Sequence, residues 1–293
     1  MNWLEISLQV DEESAEAISE LFNQYGEGGA VVEAWPDDPL VTVKTFVPPQ
    51  DERLRPLYEA LWHLGQIRPL PEPQVRGIKE EEWAEAWKAY YEPQHVGRRL
   101  VVHPSWQRYL PSEGEVVITL DPGMAFGTGL HPTTRMCLEA LEEHLSRGAK
   151  VLDVGTGSGI LTIAAAKLGA SAVLALDTDP LAVKIAKENV QANGVSKTVE
   201  VKEGSLEMAR GSLFDMIVVN ILARTIAELI EKGLLDHLKP EGLLIAAGIM
   251  ASEEEGARKT FREGGLRGLS RLQRGDWVTL IGKREGEVSR SLQ

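Results

Sequence analysis

The stretch KVLDVGTGSGILTIAAAKL (150–168) limits the possible folds of this chain more than any other. An apolar strand runs into three glycines at alternate positions and on into a helical run. The backbone must turn tightly there, with dihedrals that glycine tolerates best. The free amides of the first helical turn then face whatever the loop holds. From Lys150 the same rhythm repeats, with KVLDV, AVLALD, TVEVKE, FDMIVVN and GLLIAAGI reading as strands and helical segments between them. Two closing runs, GLSRLQR and DWVTLIGK, are joined by a short turn and predict an antiparallel hairpin. Five crossover strands and a hairpin make a seven-stranded, mostly parallel, doubly wound α/β sheet. A ligand is expected at the carboxyl ends of its strands.

The preceding chain reads differently. Apolar residues alternate at Leu4, Ile6, Leu8 and Val10, and a helix follows over DEESAEAISELFNQYG. GGAVVEAW and VTVKTFVP read as strands, DERLRPLYEALWHLG as a helix and PQVRGI as a last strand. This β-α-β-β-α-β order predicts a small α+β, ferredoxin-like domain over residues 1–78. KEEEWAEAWKAYYEP, with Trp83 and Trp87 on one face, predicts a linker helix within 79–95. Strands in RRLVVHPSW and EVVITLDPG then lead into a second glycine-rich loop, MAFGTGLHPTT. The larger domain is expected over 96–285, with a disordered tail at 286–293. Six of the seven tryptophans lie in the first 106 residues, where they are expected to fill a small core, one or two serving a contact surface.

Charge narrows the class of partner. Residues 1–78 carry fourteen Asp and Glu against five Lys and Arg, so this quarter of the chain holds -9 of the net -13. An acidic module repels a phosphate backbone and suits a basic protein, or it serves only to keep the domain soluble. The sequence pI of about 5.1 argues the same way against nucleic acid. The longest apolar run, Leu243 to Ala251, is too short for a membrane span. The start lacks the basic and apolar regions of a signal peptide. A single cysteine, Cys137, makes a cytoplasmic setting the expectation and reads as a small buried apolar residue.

The glycine loop at Gly155 departs from two phosphate-binding patterns. In a dinucleotide fingerprint the third glycine would stand where Ile160 does, and no Gly-Lys-Ser/Thr follows as a P-loop needs. Asp153, just before the loop, would repel a pyrophosphate. A ligand with a ribose and an amino acid in place of phosphates fits better. Asp177 ends the second strand, 22 residues after Gly155, where a carboxylate accepts both ribose hydroxyls. Asp179, ahead of Pro180, reads as a helix cap. Asn220 ends the fourth strand and is placed either for chemistry or to cap the helix beginning near Ala223.

Asp-Val-Gly-Thr-Gly-Ser-Gly, Asp177 and Asn220 together resemble the class I S-adenosylmethionine-dependent methyltransferases, whose domain is Rossmann-like. DPGMAFGTGLHPTT upstream is similar to the ribosomal protein L-eleven methyltransferase family, PrmA. So is NILA, in place of the Asn-Pro-Pro-Tyr of nucleic-acid and glutamine methyltransferases. The resemblance covers nearly the whole chain. It implies that the loop at Gly155 and Gly157 cradles the methionine part of the cofactor, and that Thr134 donates to the same ligand. Asp177 and Asn220 complete the implied contacts, with Asn220 orienting the incoming amine. Phe126, His131, Leu222 and Trp277 are expected at the lid or substrate side, His131 as a structural loop residue rather than a general base.

The implied reaction is methyl transfer to lysine side chains and the N-terminal α-amine of a large-subunit ribosomal protein, up to trimethylation. S-adenosylhomocysteine is the product. No metal is required, and a basic ribosomal protein is the expected partner. No stable nucleic-acid or membrane partner is expected, and the enzyme is expected to be a monomer. The rival readings are a methyltransferase acting on RNA or another protein, a dinucleotide-binding protein, and a non-catalytic scaffold.

Overall fold

Alternation in the first ten residues produces β1 (Asn2–Val10), whose Ile6, Leu8 and Val10 enter a core shared with Val41, Val43 and Val47 of β3 (Val41–Val47). α1 (Glu12–Tyr25) starts at Asp11, whose carboxylate accepts from Ser14 N at 2.9 Å, and ends at Gly26. β2 (Glu27–Ala34), α2 (Leu54–Ile67) and β4 (Gln74–Lys79) complete an antiparallel sheet of order β2-β3-β1-β4. That is the strand order of a split βαβ unit. Ile18 and Phe22 of α1 and Leu57 and Leu61 of α2 fill its core. Trp62 does not; it stands 62% exposed on α2.

The computed structural model describes residues 2–34, 40–49, 51–67, 69–79, 93–121 and 131–285. Contacts divide the chain into two units, Met1–Tyr91 and Glu92–Gln293. The expected linker helix with Trp83 and Trp87, the loop containing Phe126 and the tail at 286–293 lie outside the described residues. No described helix is long and apolar enough to cross a membrane.

The second unit opens with a three-stranded sheet of β5 (Gln94–Val96), β6 (Leu100–His103) and β7 (Val116–Thr119). α3 (Pro132–His144) follows. Then come β8 (Lys150–Val154), α4 (Ile160–Leu168), β9 (Ala172–Asp177), α5 (Pro180–Ala192), β10 (Val199–Glu203) and β11 (Phe214–Asn220). α6 (Ala223–Glu231), β12 (Leu238–Met250), α7 (Glu254–Glu263), β13 (Leu266–Arg274) and β14 (Trp277–Arg284) complete the unit. The seven expected strands form one sheet of order β10-β9-β8-β11-β12-β14-β13, with β14 antiparallel to both neighbours. Strand order reverses between β8 and β11, which places the switch point beside the Gly155 loop.

Side chains of successive strand residues go to opposite faces. Val151 of β8 joins a core with Ile160, Ile163 and Ala164 of α4 and Val183 and Ala186 of α5. Leu152 and Val154 join a second core with Ile226 and Leu229 of α6 and Phe261 of α7. Cys137 of α3 is fully buried in the first core, as expected, and burial raises its thiol pKa further from ionisation. Among the described residues β13 is the edge strand, and it carries arginines, each paired within the chain. Arg267 bonds Glu241, Arg271 bonds Glu254 at 2.8 Å, and Arg274 bonds Glu139 of α3 at 2.6 Å.

The ends of β11 and β12 approach closely through their backbones. Pairing between β12 and β14 shifts between Ala246 and Ile249, and Gly248 in that gap has φ +84°. A Cβ there would sit 2.1 Å from the carbonyl oxygen of Ile221. Gly248→Ala should therefore lose about 2–5 kcal/mol, from left-handed strain of about 1–2 and overpacking of about 1–3. Gly194→Ala is the control, with φ +69° but open space around it; it should lose about 1–2 kcal/mol. Urea denaturation of the two variants checks this, and equal losses would contradict the close approach.

Candidate active site

The glycine loop is built from both ends. Gly155 N and Thr156 N donate to Leu176 O of β9 at 2.8 and 3.0 Å, anchoring the turn on the neighbouring strand. Gly155, Gly157 and Gly159 have φ of 77°, 55° and 83°, left-handed values that make glycine the fitting residue. At Gly159 a Cβ would lie 3.3 Å from Ala186, so its absence lets the start of α4 pack on α5. Asn189 Nδ2 of α5 donates to Ser158 O at 2.8 Å and holds the loop from outside.

Asp177 closes this turn rather than standing apart from it. Its Oδ2 accepts from Gly157 N at 2.9 Å and its Oδ1 from Asp179 N at 3.0 Å. Asp179 caps α5, accepting from Leu181 N at 2.9 Å, with Pro180 at the first helical position. Asp179 thus takes the cap position read from the sequence, while Asp177 binds backbone amides of the loop. Each Asp177 oxygen still has lone-pair capacity for a hydroxyl.

Asn220 ends β11, and its Nδ2 donates to Oγ1 of the buried Thr134 at 3.3 Å. It does not cap α6, whose cap position is Leu222 with no side-chain bond. Ile221 next to it lies between two glycines. A Cβ on Gly155 would meet Ile221 Cγ2 at 2.6 Å, and one on Gly248 would meet its carbonyl. The segment carrying Asn220 is therefore set by two missing side chains. On the far wall His131 is the N-cap of α3. Its Nδ1 lies 3.3 Å from Thr133 N and 2.7 Å from Thr133 Oγ1, and its ring meets Trp277 edge-on at 5.1 Å. Burial lowers the His131 pKa.

These residues line one cavity of about 620 Å³. His131, Thr134, Gly155, Gly157, Asp177, Asn220, Leu222 and Trp277, all singled out in the sequence, share it. Phe126 lies outside the described residues. Among the described residues no Lys or Arg lines the cavity, whereas Asp177 does. A polyphosphate would find no cation there. A cationic ligand with vicinal hydroxyls fits the acidic rim and the close backbone approach at Gly155.

The structure also gives Asp153 a larger part than the sequence reading did. It is 1% exposed, and its Oδ2 accepts from Thr156 Oγ1 at 2.8 Å and Thr162 Oγ1 at 2.7 Å. Among the described residues its buried Oδ1 has no hydrogen-bond partner. Burial first, and the nearby charge of Asp177 in addition, push its pKa up to about 6, against the opposing pull of the threonine bonds. The signal available in the sequence was an aspartate inside an apolar strand with threonines three and nine residues on. Gly248 was missed too, although a glycine inside the apolar run LLIAAGI signals a bulge or a close approach.

A raised carboxyl pKa means that the folded state holds this proton more tightly than the unfolded chain. Its ionised form thus weakens folding above pH 6, and the penalty fades as pH falls towards the ordinary value of 3.8. Asp153→Asn keeps an acceptor for both threonines and removes the charge. Relative to the parent it should gain about 2 kcal/mol between pH 4.5 and pH 8, at about 1.36 kcal/mol per pK unit. Urea denaturation at the two pH values measures the change, and a constant difference would contradict the buried ionisation.

Comparison with known proteins gives the family. A model of the family described as "Ribosomal protein L11 methyltransferase (PrmA)" matches residues 2–285. The ribosomal protein L11 methyltransferase of Chloroflexus aurantiacus is 43% identical over 97% of this chain and 98% of its own length. That of Herpetosiphon aurantiacus is 41% identical over 95% and 98%. The crystal structure of a ribosomal protein L11 methylase from Lactobacillus delbrueckii subsp. bulgaricus superposes with a TM-score of 0.62 at 35% identity. It matches 67% of this chain and 100% of its own. With its methyltransferase sheet and its cavity at the switch point, the chain belongs to the ribosomal protein L11 methyltransferase (PrmA) family, enzymes that methylate protein.

Proposed function

We propose that this protein methylates amines of a basic large-subunit ribosomal protein, L11, using S-adenosylmethionine. The targets are lysine side chains and the N-terminal α-amine, up to trimethylation. The observation that carries the reading is the placement of a neutral amide, Asn220, in the same cavity as the Gly155 loop and Asp177. Thr134, Gly155, Gly157, Asp177 and Asn220 would hold the cofactor. Bound, it supplies an electrophilic methyl on a sulfonium centre.

A lysine near pKa 10.4 must present a neutral lone pair, which costs about 4.6 kcal/mol at pH 7. Apolar walls reduce that cost by disfavouring the ammonium, and Leu222, Leu229 and Trp277 supply them here. The Nδ2 of Asn220 is engaged by Thr134, while its Oδ1 accepts from none of the described residues. That oxygen is suited to receive an amine N–H and aim the nitrogen. A carboxylate at this place would favour the unreactive ammonium, so an amide suits the task better. The rest is positioning of two reactants, which contributes several kcal/mol. The acidic first unit, with -9 over residues 1–78, supports a basic protein as partner.

The direct test incubates the protein with methyl-labelled S-adenosylmethionine and unmethylated ribosomal protein, with mass spectrometry of the product. Label on lysine and α-amines is expected; label on RNA alone would overturn the reading. Binding and chemistry then separate by variant. Asp177→Ala should weaken cofactor binding at least about tenfold by calorimetry, through loss of charge-assisted hydrogen bonds. Asn220→Ala should instead lower single-turnover transfer by about a hundredfold, as for one preorganised polar contact. Asn220→Asp should be slow at neutral pH and recover partly as pH rises. Wild-type rates for both Asn220 variants would remove the amide from the mechanism.

A further inference from the structure

His131 is where three parts of the cavity meet. It precedes α3, and its Nδ1 lies 3.3 Å from the backbone N of Thr133 and 2.7 Å from the Thr133 hydroxyl. For Nδ1 to accept from Thr133 N, as a helix cap does, the ring proton must be on Nε2. The ring's other side is fixed by the edge-on contact with Trp277 of β14 at 5.1 Å and 69°. Arg274, on the other strand of that hairpin, bonds Glu139 of α3 at 2.6 Å, so the hairpin holds α3 at two points. Thr134, in the first turn that His131 caps, accepts from Asn220 Nδ2 at 3.3 Å. A chain of direct contacts thus runs Trp277, His131, α3, Thr134, Asn220.

We propose that His131 is a positioning residue for methyl transfer: as a neutral imidazole wedged between Trp277 and the first turn of α3, it holds Thr134 and thereby the Asn220 amide. This rests on the methyl-transfer reading of the site. Protonated, the ring could no longer accept from Thr133 N, and it would add positive charge at the positive end of the α3 dipole. The first turn would loosen and Asn220 would lose its fixed partner. Burial favours the neutral ring. Charged groups near it along the chain are Arg135 and Glu139 of α3 and Arg274 and Asp276 at the hairpin turn, and Asp177 lines the same cavity. Arg135 bonds Gln94 Oε1 at 2.8 Å and Arg274 bonds Glu139, so both guanidinium groups have partners of their own. No role as a general base is needed, because Nδ1 is committed to the helix.

Two variants and one spectrum test this. Asparagine is a strong N-cap that does not titrate, whereas alanine is a poor one. With the full chain at pH 8, His131→Ala should lower kcat at least about tenfold with substrate KM within about threefold, while His131→Asn should recover to within about threefold of the parent. The ratio of the Asn variant to the parent should rise as pH falls below the ordinary histidine value of 6.5, reaching at least about threefold by pH 5, because burial keeps the parent's ring neutral to lower pH and only the parent then loses its cap. Thermal melting identifies an alanine variant that fails to fold; the ratio of Asn variant to parent then decides alone. In the cofactor-free parent, the ¹⁵N shifts of the His131 ring should report the Nε2–H tautomer, retained to lower pH than an exposed histidine. An Asn variant as impaired as alanine, an alanine variant at the parental rate, or a ring in the Nδ1–H form would each overturn the proposal. The ring spectrum needs neither cofactor nor turnover. A parent enzyme that transfers no methyl groups would refute the function reading, and the spectrum would still decide the cap.

Discussion

The geometry of this cavity depends on the absence of two Cβ atoms. Ile221 passes between Gly155, at the end of β8, and Gly248, in the bulge of β12, with its side chain on one and its carbonyl on the other. Both glycines have positive φ, so each position is closed to a side chain by backbone conformation as well as by space. Asn220 and Leu222 flank Ile221, so their places at the cavity follow from this contact. The dominant constraint is thus steric exclusion rather than a bond.

On that frame the electrostatics are arranged in depth. Asp177 at the rim is held by two backbone amides and remains available to hydroxyl groups. Asp153 beneath it is buried with one oxygen satisfied by two threonines and the other by none of the described residues. Two acids so close, with no lining Lys or Arg among the described residues, make the cavity receptive to positive charge. Asn220, the residue proposed to face the amine, is nonetheless uncharged. In the proposed reaction an acidic surround would draw a cationic ligand in, and a neutral amide where nitrogen must be deprotonated would avoid stabilising the wrong protonation state.

Much of this was legible in the sequence because the decisive signals are local. Strand, glycines and helix adjoin in VLDVGTGSGI, so those ten residues place the loop by themselves. Asp177 and Asp179 could be told apart because a cap needs a helix start directly after it, and Pro180 marks one. The central strands β8, β9, β11 and β12 carry their own apolar runs, and their alternation with helices marks a doubly wound sheet. What escaped was non-local. Gly248 matters because of Ile221, far away in the chain, and nothing near Gly248 names that partner. Asp153 reads as a repulsive charge until its burial is known. The exposure of Trp62 reflects which helix face meets the sheet, and helical spacing alone cannot distinguish a buried tryptophan from a displayed one.

The arginines of β13 have a consequence for the molecule as an object in solution. A free strand edge offers unpaired amides and carbonyls to any extended chain, its own copies included. To dock there, a newcomer would have to displace or desolvate Arg267, Arg271 and Arg274 together with Glu241, Glu254 and Glu139. Burying such pairs without replacing their partners costs several kcal/mol, more than a short ladder returns. The sheet therefore terminates by charge. An enzyme whose substrates are themselves polypeptides can meet exposed backbone without becoming a template for it.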